Sequence, residues 1–269
     1  MQAYYNEFDP KAAAWLRQLI KNGNITPGEV DERSIKEVKA DDLVGFDRVH
    51  FFAGIGTWDY CLNQAGWGDR PIWTASLPCQ PFSTAGKGLG KADERHLLPH
   101  FLELFKECKP ATVLGEQVAA AIKHGWLDDL YAEMEACDYA LGSAVIGAHS
   151  IGAPHIRQRL YWVADSNAAG KTESGYRQLH SEGFTNGPFG NCTDDIEWVY
   201  CRDNKYRPVK PSIQPLVDGI ARGMVHSCDS STQINANETQ EARAMRLKGY
   251  GNAIQAQTAI AFISAYLSL

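Results

Sequence analysis

Residues 47–66 read DRVHFFAGIGTWDYCLNQAG, and this stretch decides the fold. Asp47–Ala53 carries valine and two phenylalanines and reads as a buried strand. Gly54-Ile55-Gly56 breaks it, Thr57–Ala65 has helical spacing, and Gly66 stops that helix. A strand, a glycine turn and a helix, in that order, make a ligand site in an open α/β sheet. The glycines let a ligand approach the main chain, and the helix start offers unpaired N–H groups. The spacing is not G-x-G-x-x-G, so the dinucleotide fingerprint is missing.

The same alternation extends outward. Ala3–Tyr5 reads as a short strand, Pro10 opens a helix from Lys11 to Asn22, and Val30 starts a weak strand. After the glycine turn, Pro71–Leu77 predicts a strand, His96–Cys108 a helix, Ala111–Leu114 a strand and Trp126–Cys137 a helix. Tyr139–Ala148 and Leu160–Ala164 predict two more strands, and Arg246–Leu269 a turn followed by a long helix. The class is therefore α/β, a mostly parallel sheet with helices on both faces, with ligands beyond the carboxyl ends of its strands. From Asp165 to Lys210, and again over His226–Glu241, small and polar residues replace the periodicity, which predicts long loops or a small irregular module.

A chain of 269 residues suits one large domain with a small appendage. No apolar run approaches the ~18 residues of a membrane span, and MQAYYNEFDP lacks the basic and apolar regions of a signal peptide. Seven cysteines with no C-x-x-C spacing argue against a disulfide framework or zinc knuckle and for reduced thiols in a cytoplasm-like compartment. The net charge of −6 is a mild argument against nucleic acid. Its distribution is less so. Arg202, Lys205, Arg207 and Lys210 stand against one acid, Asp203, and Arg157 and Arg159 form a second basic spot. Acids gather in the N-terminal part, from Glu29 to Asp47. This reads either as a basic cleft on an acidic body or as a solvated surface.

One acid is missing from its usual place. In a nucleotide-binding sheet, the strand after the glycine turn ends in a carboxylate that holds the ribose hydroxyls. Between Gly66 and Cys79 there is room for one strand only, so the acid must come from elsewhere. Glu7 stands at a strand end just before a helix, and Asp31, after the next short strand, could reach an adenine amino group. A second oddity is SLPCQPFSTAGKGLG, from Ser76. Cys79 is held between prolines, a rigid setting suited to a nucleophile. Thr84–Arg95, with Gly86, Gly88, Gly90, Lys87, Lys91 and Arg95, reads as a lid that closes beside it.

Taken in order, these motifs resemble the DNA (cytosine-5) methyltransferases over most of the chain. FAGIG (Phe52–Gly56) resembles the first motif and PCQPFS (Pro78–Ser83) the one with the nucleophilic cysteine. GEQV (Gly115–Val118) resembles the Glu-Asn-Val motif, GAPHIRQRLYWVA (Gly152–Ala164) the motif with two arginines flanking one residue, and GYGNAI (Gly249–Ile254) the last. Gln117 replaces the usual Asn, His155 a Gln, Thr57 the third Gly, and His50 an acid. NEFDP (Asn6–Pro10) and VDERSI (Val30–Ile35) resemble the second and third motifs but precede the first, so the front end reads as permuted.

The resemblance implies an S-adenosylmethionine-dependent, Rossmann-like fold and transfer of a methyl group to C5 of a cytosine swung out of the duplex. It implies catalytic roles for Cys79 as nucleophile on C6, Glu116 at N3 and the exocyclic amine, Arg159 at O2, Arg157 in support of it or on phosphate, and Gln117 fixing the catalytic loop. The cofactor would lie on Phe52, Ala53, Gly54, Ile55, Gly56, Glu7, Asp31, Pro78 and Asn252, with Phe8 on the adenine ring. DNA would meet Gln80, Ser83, Lys87, Lys91, Arg95, Arg202, Lys205 and Arg207, with Trp198, Tyr200 and Tyr206 interleaved. Residues 1–164 and 246–269 would form the catalytic domain and 165–245 a small target-recognition region. The expected setting is a monomer on double-stranded DNA, without metal or membrane, in a bacterial or phage-infected cytoplasm. An RNA cytosine-5 methyltransferase and a catalytically weak DNA-binding relative remain as alternatives.

Overall fold

The computed structural model describes residues 1–78, 97–153, 156–166, 249 and 251–269, and the backbone of 197–200 and 206–209. In chain order the elements are β1 (Ala3–Asn6), α1 (Pro10–Lys21), β2 (Gly28–Asp31), β3 (Arg48–Phe51), α2 (Thr57–Gln64) and β4 (Ile72–Ala75). There follow α3 (Leu98–Cys108), β5 (Thr112–Val118), α4 (Trp126–Glu135), β6 (Ala140–Gly147), β7 (Gln158–Asp165), β8 (Glu197–Tyr200), β9 (Tyr206–Val209) and α5 (Ala256–Leu267).

Seven strands form one sheet in the order β2-β1-β3-β4-β5-β7-β6. From β2 to β5 every pairing is parallel, while β7 runs antiparallel to both β5 and β6. Apolar clusters cover both faces. Phe51, Trp73, Phe101, Phe105, Trp126 and Trp162 lie in one, and Tyr5, Leu16, Trp58, Leu62, Tyr161 and Ile260 in the other. No helix among the described residues is long and apolar enough to cross a membrane.

Local chemistry accounts for the entry to the site. Asp9 caps α1, accepting from Lys11 N at 2.9 Å, with Pro10 in the first turn where its missing N–H costs nothing. Ala13, Leu16 and Leu19 then present one buried face. Because β1 lies next to β3, with Asn6 opposite Phe51, the end of β1 stands beside the glycine turn that follows β3. Ala53 N donates to Asn6 O at 3.0 Å and completes that junction.

A buried polar network ties β3 to α2. Arg48 Nη1 donates to Asp59 Oδ1 at 2.6 Å, to Asn63 Oδ1 at 2.7 Å and to Thr26 Oγ1 at 3.1 Å. Thr26 N donates to Asp59 Oδ2 at 2.6 Å. His50, where the resemblance led to an acid, is internal. It pairs with Thr74 Oγ1 at 2.8 Å and stacks on Tyr5 at 5.0 Å between ring centroids.

The sheet is mostly parallel, as expected, and β7 is the strand that runs against its neighbours, because the connection from β6 turns the chain back on itself. Two expectations need correction. The strand expected over Ala111–Leu114 runs on to Val118. Gly115 continues the strand, and the Trp162 ring fills the space its side chain would need: a Cβ there would lie 2.1 Å from the indole. The stretch expected to be irregular contains the antiparallel pair β8–β9, with Tyr200 opposite Tyr206.

Candidate functional site

The first half of the site is the glycine turn. Gly54 and Gly56 have φ of 56° and 73°, and Phe52, a non-glycine, has 54°. That left-handed backbone suits glycine and strains any other residue, a cost found where a main chain is shaped for a ligand. Gly56 N closes the turn onto Ala53 O at 2.9 Å. A Cβ on Gly54 would meet nothing within 4 Å among the described residues, which leave space over the turn. Ile55 is buried, and Gly56 caps α2. Thr57 Oγ1, at the first residue of α2, is buried with no hydrogen-bond partner among the described residues.

Glu7 joins this turn. Its Oε2 accepts from Gly54 N at 2.7 Å and its Oε1 from Asp9 N at 2.8 Å. Phe8, next in sequence, is 71% exposed. Asp31 is already engaged. It takes Arg33 through Nε at 2.9 Å and Nη2 at 2.6 Å, and Tyr4 Oη at 2.5 Å. Burial works against its charge, yet Arg33 and Tyr4 hold its carboxyl below the usual range. The segment at Gly249 packs against Trp15 and against Ile55 of the turn. A Cβ on Gly249 would lie 3.1 Å from Trp15 and 3.5 Å from Ile55. Asn252 is exposed, and Pro78 half-buried.

The second half lies on β5 and β7. Their register sets Glu116 opposite Tyr161 and Val118 opposite Arg159. Arg159 Nε meets Glu116 Oε1 at 2.8 Å. Burial raises the Glu116 carboxyl above its ordinary value, against the pull of Arg159 and Arg157. Gln117 Nε2 donates to Leu77 O at 3.3 Å, while its Oε1 accepts from Val118 N at 2.9 Å. It therefore anchors the main chain that leads directly to Pro78. Arg157 does not join Arg159. Its Nη2 donates to Gly251 O at 3.1 Å and Ala253 O at 2.6 Å.

Cys79, Gln80, Ser83, Lys87, Lys91, Arg95, His155, Arg202 and Lys205 lie outside the described residues, and Arg207 is placed only as a backbone position of β9, opposite Val199. Four contributors had no signal in the sequence. Ser76 Oγ accepts from Trp58 Nε1 at 2.9 Å and ties α2 to the segment before Pro78. The carbonyls of Leu77, Gly251 and Ala253 act through the main chain, which every residue carries alike.

Residues 69–196 match the family model described as C-5 cytosine-specific DNA methylase. Among curated proteins the chain is 33% identical over 93 residues to the Type II methyltransferase M.AplI of Arthrospira platensis, covering 34% of this chain and 27% of that one. It is 30% identical over 164 residues to the Type II methyltransferase M.NgoMIV of Neisseria gonorrhoeae, covering 60% and 43%. It is 26% identical over 171 residues to the Type II methyltransferase M.HhaI of Haemophilus parahaemolyticus, covering 49% and 52%. The chain thus spans about half or less of the length of these relatives. In solved structures, the S. pombe Dnmt2 methyltransferase aligns at a TM-score of 0.55 and 14% identity, covering 100% of this chain and 98% of that one, which shows the shared fold.

Proposed function

We propose that this chain is a DNA (cytosine-5) methyltransferase that uses S-adenosylmethionine. The observation that carries this reading is the Arg159–Glu116 pair at 2.8 Å, formed by two motif residues inside the matched segment 69–196. The matched relatives are Type II methyltransferases, which favours DNA over RNA as substrate.

The residues present fit the cofactor. The space over Gly54, the Glu7 carboxylate on the turn, the exposed Phe8 ring and the unpaired Thr57 hydroxyl suit a ligand with a nucleoside at one end and an amino acid at the other. When bound, S-adenosylmethionine supplies an electrophilic methyl group. Glu7 would hold the ribose, Phe8 the adenine, and the turn Phe52–Gly56 with Pro78 and Asn252 the methionine end. Asp31, paired with Arg33, would reach an adenine amino group only through an oxygen lone pair left over from that pairing.

The work of the chain is on the pyrimidine. The Cys79 thiolate adds to C6, and the ring electrons pushed toward N3 and C5 make C5 nucleophilic. Glu116 in its protonated form donates to N3, and its burial favours that form. Arg159 donates to O2, where negative charge accumulates. Once C5 carries the methyl group, with S-adenosylhomocysteine as the departed group, water takes the C5 proton, the C6–S bond breaks to return the Cys79 thiolate, and N3 gives its proton back to Glu116. Gln117 holds the segment before Cys79 through Leu77 O. Residues 165–245 would read the target, with the ribbon β8–β9 suited in size to a major groove. The second and third motifs before the first would explain why β1, with β2 beyond it, lies on the side of β3 away from β4. The setting would be a monomer in a bacterial or phage-infected cytoplasm.

Bisulfite sequencing of DNA from cells expressing the chain tests this directly. Methylated cytosines should resist conversion in one sequence context, and C79A should abolish the resistance. A duplex carrying 5-fluorocytosine in that context should leave an adduct on Cys79. Resistance that survives C79A would sink the mechanism. Labelled methyl on RNA alone would move the substrate.

A further inference from the structure

The two arginines around Gln158 take different partners. Arg159 stays with Glu116, while the Arg157 guanidinium crosses to the C-terminal segment and donates to Gly251 O and Ala253 O. These carbonyls end a helical turn in which Ala253 N bonds Gly249 O at 3.0 Å. The carbonyl end of a turn is the negative end of its dipole, so a cation there is favoured. The opposite side of that turn leans on the glycine turn, because Gly249 packs closely against Trp15 of α1 and Ile55.

Two further observations mark Arg157 as specially placed. Its φ is 23°, a conformation that strains a non-glycine residue and is kept where the surroundings demand it. Its Nε is buried without a hydrogen-bond partner among the described residues, so the group has given up solvent to reach those carbonyls.

We propose that Arg157 is a positioning residue for the cofactor, acting by holding the turn of Gly249, Gly251 and Ala253 against Ile55, and that it does not contact nucleic acid. The inference rests on the proposed cofactor. It departs from the expectation that Arg157 supports Arg159 or touches phosphate. The two roles separate in experiment, since a cofactor clamp acts without DNA and a phosphate contact acts only with it.

The test uses the full chain, S-adenosylhomocysteine as probe, and the variants R157A, R157K and R159A. Calorimetry without DNA measures the Kd of the probe. R157A should weaken it about 10-fold or more, the size of a lost hydrogen bond from a charged donor. R157K, whose ammonium reaches one carbonyl, should recover part of the loss, and R159A should match wild type. Should R157A not fold, R157Q takes its place. Binding of duplex DNA across a salt series should keep the wild-type slope in R157A. A slope reduced by about one would assign Arg157 to a phosphate and overturn the proposal. Equal probe affinity in wild type and R157A would overturn it alone. A wild-type chain that binds no probe would overturn the cofactor reading and this inference with it.

Discussion

Glu7 Oε2 accepts a hydrogen bond from Gly54 N at 2.7 Å, across 47 residues of chain. The carboxylate sits where β1 ends, and β1 is the neighbour of β3, so the front of the chain places a carboxylate on the glycine turn. One oxygen fixes the turn and the other fixes Asp9 N at the start of α1. E7A should loosen the turn and weaken S-adenosylmethionine binding by about 10- to 100-fold, from the loss of charge-assisted hydrogen bonds. E7Q, which keeps an acceptor but no charge, should fall between. Calorimetry without DNA reads both, and an unchanged Kd in E7A would remove Glu7 from the site.

The raised Glu116 carboxyl gives the reaction a pH signature. Burial, the largest cause, favours the protonated form, and that form is the one that can donate to N3. As pH rises through the raised value, wild-type kcat/KM should fall, because the donor is lost. E116Q should lack that limb and run about 10²- to 10⁴-fold slower, as expected for loss of a general acid. Stability follows the same sign. Above the ordinary value of 4.5 the folded chain holds a proton that the unfolded chain has released, so the Glu116 contribution falls as pH rises. Urea midpoints of wild type and E116Q should converge at low pH and separate, in favour of the variant, at high pH.

Two glycines of the same sheet should answer alanine in opposite ways. At Gly115 a Cβ would lie 2.1 Å from the Trp162 ring, and a buried indole on β7 cannot retreat without moving the strand. G115A should destabilise by about 3 kcal/mol, the upper end of overpacking costs, and disturb Glu116 beside it. At Gly142 the nearest atom is Val163 Cγ1 at 3.5 Å, an ordinary contact. G142A should be neutral or stabilise by about 0.4–1 kcal/mol through the unfolded chain. Thermal melts of the two variants make the comparison.

The Arg48–Asp59 pair, with side chains 1% and 0% exposed, makes the junction of β3 and α2 sensitive to acid. Burial opposes the Asp59 charge, but His50, the Thr26 amide and Arg48 together hold its carboxyl well below the ordinary 3.8. A lowered carboxyl contributes stability that is present above the ordinary value and lost as pH falls through the folded one. D59N should remove that acid limb. At neutral pH it should cost about 3–5 kcal/mol, because Arg48 keeps its charge in a buried place without its counterion. Urea titrations of wild type and D59N at neutral pH and at several acidic pH values, down past the ordinary 3.8, measure both effects.

Much of this was legible in the residues alone. The strand, glycine turn and helix of Arg48–Gln64 follow from local sterics, and so does the start of α1 at Asp9-Pro10. The need for a displaced acid could be read from chain length, because Gly66 to Cys79 holds a single strand. The choice of Glu116 and Gln117 as site candidates came through motif resemblance, but the partners of those side chains did not.

What the sequence by itself determined is therefore the local order of elements and the chemical types placed at strand ends, since propensity and spacing act within a few residues. Only the tertiary structure decided that β7 runs antiparallel, that Trp162 makes Gly115 necessary, that Arg157 serves the C-terminal turn, and that Glu7 reaches Gly54. Each of these is a choice among partners distant in sequence. The choice is made by which surfaces can be packed and which buried polar groups can be paired at the same time, and no window of neighbouring residues carries that information.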